Sequence, residues 1–218
     1  MLATSLRPYA QRPDVVIFAL PRGGVPVAYE VALQLRAPLD VFVVRKLGVP
    51  GHEELAMGAI ASNGVQVLNE ETIRAFALTD AEIAEVARIE RREVERRESD
   101  YRAGRPPIEA TGETVILIDD GLATGSSMRA AIQALRRLNP ASVIAAVPVA
   151  APDTCSEMAS EADDMVCAVT PEPFIAVGVW YEDFSQTTDK EVRELLSRAA
   201  REIPRRNAHA ASPYPTGM

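Results

Sequence analysis

Two neighbouring carboxylates, Asp119 and Asp120, stand directly after the wholly apolar run Val115-Ile116-Leu117-Ile118. Ionised side by side they repel each other. A fold keeps such a pair only where something compensates it, such as hydroxyls that donate to both groups or a nearby divalent cation. The residues that follow, Gly121-Leu122-Ala123-Thr124-Gly125-Ser126-Ser127, are small and rich in hydroxyls. Backbone N–H groups from Leu122 to Ser127, with the Thr124, Ser126 and Ser127 hydroxyls, can surround an anion at the positive end of a following helix. A ligand that carries both a diol and a phosphate satisfies both halves. The loop is not a Walker A motif, because no Gly-Lys-Ser/Thr closes it. The competing explanation is purely structural: a buried strand, two turn aspartates and an N-capped helix.

Other charged residues sit at comparable places. Pro21-Arg22-Gly23-Gly24 follows the apolar run Val15–Leu20. Its glycines permit close backbone approach to a ligand, and Arg22 offers a bidentate cation to phosphate oxygens. Arg45-Lys46 follows Leu39–Val44, where two cations at a strand end would complete a polyanion site facing Asp119 and Asp120. Gly48, Pro50 and Gly51 mark a loop over about residues 46–56, which presents His52, Glu53 and Glu54 as groups that can contact substrate or move a proton. Phe174, Trp180, Tyr181 and Phe184 concentrate aromatic rings after the last strand, where a ring face can stack on a planar base.

The elements that must position these groups alternate. Apolar runs at Val15–Leu20, Leu39–Val44, Val115–Ile118, Ser142–Val149 and Met165–Val169 read as strands. Helical spacing covers Val25–Leu35, Met128–Leu138, Pro152–Ala159 and Asp189–Glu202. Thr79-Asp80-Ala81-Glu82 is a capping box that opens a helix running to about Tyr101, whose Glu/Arg-rich second half predicts a solvated face with intrahelical ion pairs. Ala56–Ile60 and Val65–Leu68 flank an Asn63-Gly64 turn and predict a hairpin. Strands alternating with helices imply an α/β fold with a central, mainly parallel sheet flanked by helices.

Residues 115–127 resemble the phosphoribosyl-pyrophosphate-binding motif of type I phosphoribosyltransferases, and Arg22-Gly23-Gly24 is similar to the pyrophosphate loop of the same family. The resemblance implies the type I fold over residues 1–203, with a small hood over about 170–188 and a flexible catalytic loop over about 46–56; the terminal segment 204–218 is itself expected to be a disordered tail. It implies transfer of the 5-phosphoribosyl group from phosphoribosyl pyrophosphate to a nucleobase-like nitrogen acceptor, with release of pyrophosphate. Asp119 and Asp120 would hold the ribose hydroxyls, and Leu122 to Ser127 the 5′-phosphate. Arg22, Gly23 and Gly24 would hold pyrophosphate, with Arg45 and Lys46 assisting. Phe174 and Trp180 would meet the base beside His52. Mg²⁺ would be held by Asp119, Asp120 and Asp183, and the family resemblance points to a homodimer.

Three departures limit the transfer. Gly121 replaces the family's usual aliphatic or other small residue, and Val49 stands about where orotate-using members carry a lysine. Ala123 replaces the aspartate that hypoxanthine/guanine enzymes place near purine N7, and no lysine lies between Ser127 and Phe174. Hypoxanthine or guanine salvage is therefore not expected.

Composition excludes other classes. A net charge of −8 supplies no basic excess for a nucleic-acid binder. No apolar run is long enough to span a bilayer, and the N-terminus lacks a signal pattern, so a cytoplasmic protein is expected. Cys155 and Cys167 lack metal-ligand spacing and are expected to be reduced thiols in or near the core. The alternative to an enzyme is a non-catalytic regulatory protein that binds phosphoribosyl pyrophosphate or a nucleotide. A dinucleotide- or methyl-donor-binding enzyme is disfavoured, since no Gly-x-Gly-x-x-Gly follows an early strand.

Overall fold

The computed structural model describes residues 1–203, so the tail expected over 204–218 lies outside the described residues. In chain order the elements are α1 (Leu2–Ser5), β1 (Val15–Ala19), α2 (Gly24–Leu35), β2 (Leu39–Val41), β3 (Val44–Val49), β4 (His52–Ala61), β5 (Gln66–Leu68), α3 (Glu70–Ala75), α4 (Asp80–Arg102), β6 (Thr114–Ile118), α5 (Ser126–Arg136), β7 (Ser142–Val149), α6 (Pro152–Met158), β8 (Asp164–Val169) and α7 (Asp189–Glu202).

Every residue of β1 and β6 is buried, which is why both segments read as unbroken apolar runs. They pair in parallel with Ile17 opposite Ile116, at the centre of a five-stranded sheet ordered β2-β1-β6-β7-β8. All its pairings are parallel, and apolar clusters cover both faces. One cluster draws on α2 and α7, the other on α5. The strand ends therefore share one edge of the sheet, and the acidic pair lies on it.

α4 opens on the expected capping box, with Thr79 and Glu82 each accepting from the other's backbone N–H. Arg88 pairs with Glu85, and Arg96 and Arg97 pair with Glu93, which keeps its charged face soluble. A second capping box, Thr188 with Glu191, opens α7.

Three expectations are corrected. The strand expected over Leu39–Val44 ends at Val41, and Val44 already belongs to an antiparallel sheet, β3-β4-β5. The loop expected over 46–56 is mostly the β3–β4 hairpin, turning at Pro50-Gly51 with Gly51 at φ +75°. Leu47 and Val49 are buried in the core on either side of Gly48, where the register to β4 shifts, a pairing that the nearby glycines and proline obscured. Cys155 and Cys167 form a disulfide rather than free thiols. α6 crosses back over β8 and brings their Cα atoms within 6.6 Å, a proximity that a separation of 12 residues does not reveal.

Candidate active site

β6 delivers Asp119 and Asp120 to the sheet edge, both half-buried. The Asp120 N–H donates to Asp119 Oδ1 at 2.9 Å, which fixes the first carboxylate against the chain. Burial raises the Asp119 pKa to about 7, and the neighbouring Asp120 charge adds to the rise. Burial likewise raises that of Asp120. Without a ligand the pair thus favours holding a proton; hydroxyl donors or a cation would restore its charge.

The small-residue loop is anchored from behind. Leu122 donates its N–H to Val149 O at 3.0 Å and accepts from the Ala151 N–H at 3.0 Å. Its side chain is buried, so Leu122 secures the loop. Thr154 Oγ1 donates to Ala123 O at 2.8 Å, tying the loop to α6. Gly125 turns the chain at φ +70° and caps α5. Ala123, Thr124, Ser126 and Ser127 are left exposed, with the Thr124 and Ser126 hydroxyls 3.1 Å apart.

Opposite stands the Arg22-Gly23-Gly24 turn, whose Pro21–Arg22 peptide is cis. A Cβ on Gly23 would lie 1.9 Å from Asp120 Oδ2, and one on Gly24 2.6 Å from Ile118 O. Only residues without side chains let this turn lie against the acidic pair. The Gly24 N–H donates to Leu20 O at 3.1 Å, so it serves the fold and is not offered to an anion. Arg22 reaches Asp189 at 3.8 Å, and the same aspartate accepts from Tyr101 Oη at 2.7 Å.

A cleft of about 550 Å³ opens between Asp120 and the Arg22-Gly23 turn. Arg22, Gly23, Pro26, Val27 and Asp120 line one side; Tyr181, Asp183, Phe184, Ser185, Gln186 and Thr187 line the other. Tyr181 Oη donates to Asp120 O at 2.6 Å, and its ring lies 5.2 Å from that of Phe184. Burial, then the Asp120 and Asp119 charges, raise the Tyr181 pKa, so the phenol stays protonated. Asp183 is exposed and accepts from the Ser185 N–H at 2.8 Å, a bond that lowers its pKa.

The structure thus brings together Asp120, Arg22, Gly23 and Asp183 at one cleft, with Asp119 bonded to Asp120 beside it; Gly24 and the loop residues Leu122 to Ser127 are not in its lining. Arg45, Lys46, His52, Phe174 and Trp180 do not line this cleft. Arg45 donates to Glu90 at 2.7 Å, Lys46 lies 3.7 Å from Glu54, and His52 sits at the hairpin tip with its ring 5.5 Å from that of Phe76. The rings facing the cleft are Tyr181 and Phe184. Trp180 ends a short 3₁₀ turn, Val177–Trp180, and is exposed. The aromatic density was visible in the sequence; which rings line the cleft was not. Pro26, Val27 and the Ser185-Gln186-Thr187 wall carried no signal that would have singled them out.

The family profile for the phosphoribosyl transferase domain matches residues 2–182. The chain belongs to the phosphoribosyl transferase family. A relative from Mycobacterium tuberculosis strain H37Rv, provisionally named a phosphoribosyl transferase, is 46% identical over 201 residues, covering 92% of this chain and 45% of the relative. Its counterpart in strain CDC 1551 gives the same figures. The chain spans about half the length of these curated relatives. Among solved structures, that of the protein TT1426 from Thermus thermophilus superimposes with a TM-score of 0.80 at 38% identity, over 90% of this chain and 93% of that one. The five-stranded parallel sheet flanked by helices is the scaffold on which this phosphoribosyl transferase domain carries its acidic pair. Among the described residues, no helix is long and apolar enough to cross a membrane.

Proposed function

We propose that this domain transfers the 5-phosphoribosyl group from phosphoribosyl pyrophosphate to a nitrogen of a nucleobase-like acceptor and releases pyrophosphate. One observation carries the reading: the Arg22-Gly23 turn lies so close to Asp120 that a single Cβ would collide with the carboxylate. That juxtaposition sets a cation beside a diol-binding pair, as a ligand bearing pyrophosphate on a ribose requires.

Asp119 and Asp120 accept from the ribose hydroxyls, and Ala123 to Ser127 receive the 5′-phosphate at the start of α5. Arg22 takes charge from the pyrophosphate as the C1–O bond breaks, which is where an oxocarbenium-like transition state places it. Tyr181 and Phe184 form the wall against which a planar acceptor rests. An oxygen-only donor set suits magnesium, and a bound cation would offset the burial that raises the pKa values of the acidic pair. Among the described residues no three His, Cys, Asp or Glu side chains form a metal-holding group. Asp119, Asp120 and Asp183 would therefore hold magnesium only together with ligand oxygens and water, where it would neutralise the departing pyrophosphate.

A second reading, ligand binding without turnover by a regulatory protein, draws on one observation: Arg45 and Lys46 are paired with glutamates away from the cleft. Calorimetry with magnesium and phosphoribosyl pyrophosphate, followed by a pyrophosphate-release assay over purines, pyrimidines and related heterocycles, separates the two. Transfer predicts release with at least one acceptor. It also predicts that Asp119→Asn combined with Asp120→Asn abolishes both binding and release; intact binding in that variant would remove the assignment.

A further inference from the structure

The segment from Val177 to Phe184 is joined to the acidic pair more closely than a wall for the acceptor requires. Gly121 follows the pair, and a Cβ there would lie 2.6 Å from Val177 Cγ1 and 3.0 Å from Val149 O. Val177 therefore fills the space that a side chain would occupy. Four residues on, Tyr181 Oη donates to Asp120 O at 2.6 Å. Gly178 makes this geometry possible, since a Cβ there would meet Phe184 Cδ1 at 2.6 Å, and Phe184 in turn packs its ring against that of Tyr181.

Asp120 is consequently held on both sides of its Cα. Its N–H is taken by Asp119 Oδ1, and its carbonyl by the Tyr181 hydroxyl. With both flanking peptide groups fixed, the Asp120 Cα–Cβ bond is fixed in direction too. The bond from Tyr181 spans 61 residues, so it joins two segments that nothing local would hold in register. The phenol also lies in the lining of the cleft, so a ligand in the cleft meets the residue that orients its own binding group.

We infer that Tyr181 is a positioning residue for the acidic pair: its hydroxyl, through the Asp120 carbonyl, sets the carboxylates at the spacing that the ribose diol needs. The inference rests on the phosphoribosyl pyrophosphate reading above. It distinguishes the ribose half of the site, which depends on Asp119 and Asp120, from the pyrophosphate half at Arg22 and Gly23.

Tyr181→Phe tests this, because it keeps the ring and its contact with Phe184 and removes only the hydroxyl. Affinities for phosphoribosyl pyrophosphate and for inorganic pyrophosphate are measured by calorimetry in magnesium buffer, with thermal midpoints alongside. Loss of this one half-buried hydrogen bond predicts phosphoribosyl pyrophosphate binding weakened about five- to tenfold, with pyrophosphate affinity unchanged. Unchanged binding of both ligands overturns the inference. So does equal weakening of both with a lowered midpoint, which would make Tyr181 a general structural residue. Failure of the unmodified protein to bind phosphoribosyl pyrophosphate would overturn the donor reading itself, and this inference with it.

Discussion

Replacing Asp119 by asparagine should make the ligand-free protein more stable, and increasingly so as pH rises. The pKa of the carboxyl moves from 3.8 to about 7, through burial first and the Asp120 charge second. The folded state therefore holds this proton more tightly than the unfolded chain does. Stability starts to fall once pH passes the unfolded value, and the full cost is present above the folded one. At about 1.36 kcal/mol per pH unit, that cost reaches about 4 kcal/mol well above pH 7, a ceiling because the two carboxylates titrate together. Asparagine keeps the shape and an oxygen to accept from the Asp120 N–H, and it has no charge to bury. Its advantage should grow by about 2–3 kcal/mol between pH 5 and pH 8, or roughly 5–10 °C in thermal midpoint for a domain of this size. Thermal unfolding of both proteins in chelator at pH 5, 6.5 and 8 reads this directly. Parallel curves, or a less stable variant at pH 8, would refute the reasoning. Adding magnesium and phosphoribosyl pyrophosphate should reverse the order, since only the carboxylate form gains from ribose hydroxyls.

Two further perturbations follow from distances. Gly23→Ala places a methyl 1.9 Å from a rotatable carboxylate oxygen, whereas Gly24→Ala places one 2.6 Å from the backbone oxygen of Ile118. The first should cost less than about 1 kcal/mol of stability but at least tenfold in phosphoribosyl pyrophosphate affinity, because Asp120 can swing aside only by leaving its position; the second should cost about 1–3 kcal/mol, because a buried strand must move. Urea midpoints paired with calorimetry separate these outcomes. Cys155→Ser opens a link spanning 12 residues and should lower stability by up to about 3 kcal/mol in oxidising buffer. The wild type in excess reductant should fall to the level of the variant, and a wild-type midpoint indifferent to reductant would refute the link.

What was legible in the sequence was what local chemistry decides. Val115–Ile118 could be assigned to a doubly covered strand because each of its residues is apolar, and α4 because Thr79 and Glu82 cap it by themselves. The Arg22-Gly23-Gly24 turn by itself reads equally well as a glycine-rich connector with a surface arginine, and only its resemblance to a pyrophosphate loop singles it out. The fate of Arg45 was not legible. Its partner Glu90 lies 45 residues away on α4, and the pairing exists only because β3 leaves the parallel sheet for the hairpin. Phe174 and Trp180 outweighed Tyr181 by resemblance, although the tyrosine alone carries a hydroxyl that can reach a strand end. The cysteines failed as a sequence signal for a similar reason: their distance is set by the packing of α6 on β8, not by spacing.

The glycines around the acidic pair show what the site demands of its surroundings. Gly23, Gly24 and Gly121 come from two separate segments, and each would place a Cβ under 3 Å from a neighbouring atom. Gly23 has helical backbone angles, φ −59° and ψ −35°, which any residue can adopt, so conformational freedom does not explain it. Room does. On the proposed reading, a ligand that compensates the two half-buried carboxylates can bridge them to Arg22 only if the turn carrying it comes within contact of Asp120. The same requirement accounts for Gly121, where the space is taken by Val177 and the segment that brings Tyr181 to the Asp120 carbonyl. Substitutions at these positions should therefore scale with the size of the added group and not with its helix or strand preference, and valine at position 121 should be worse than alanine despite favouring extended backbone.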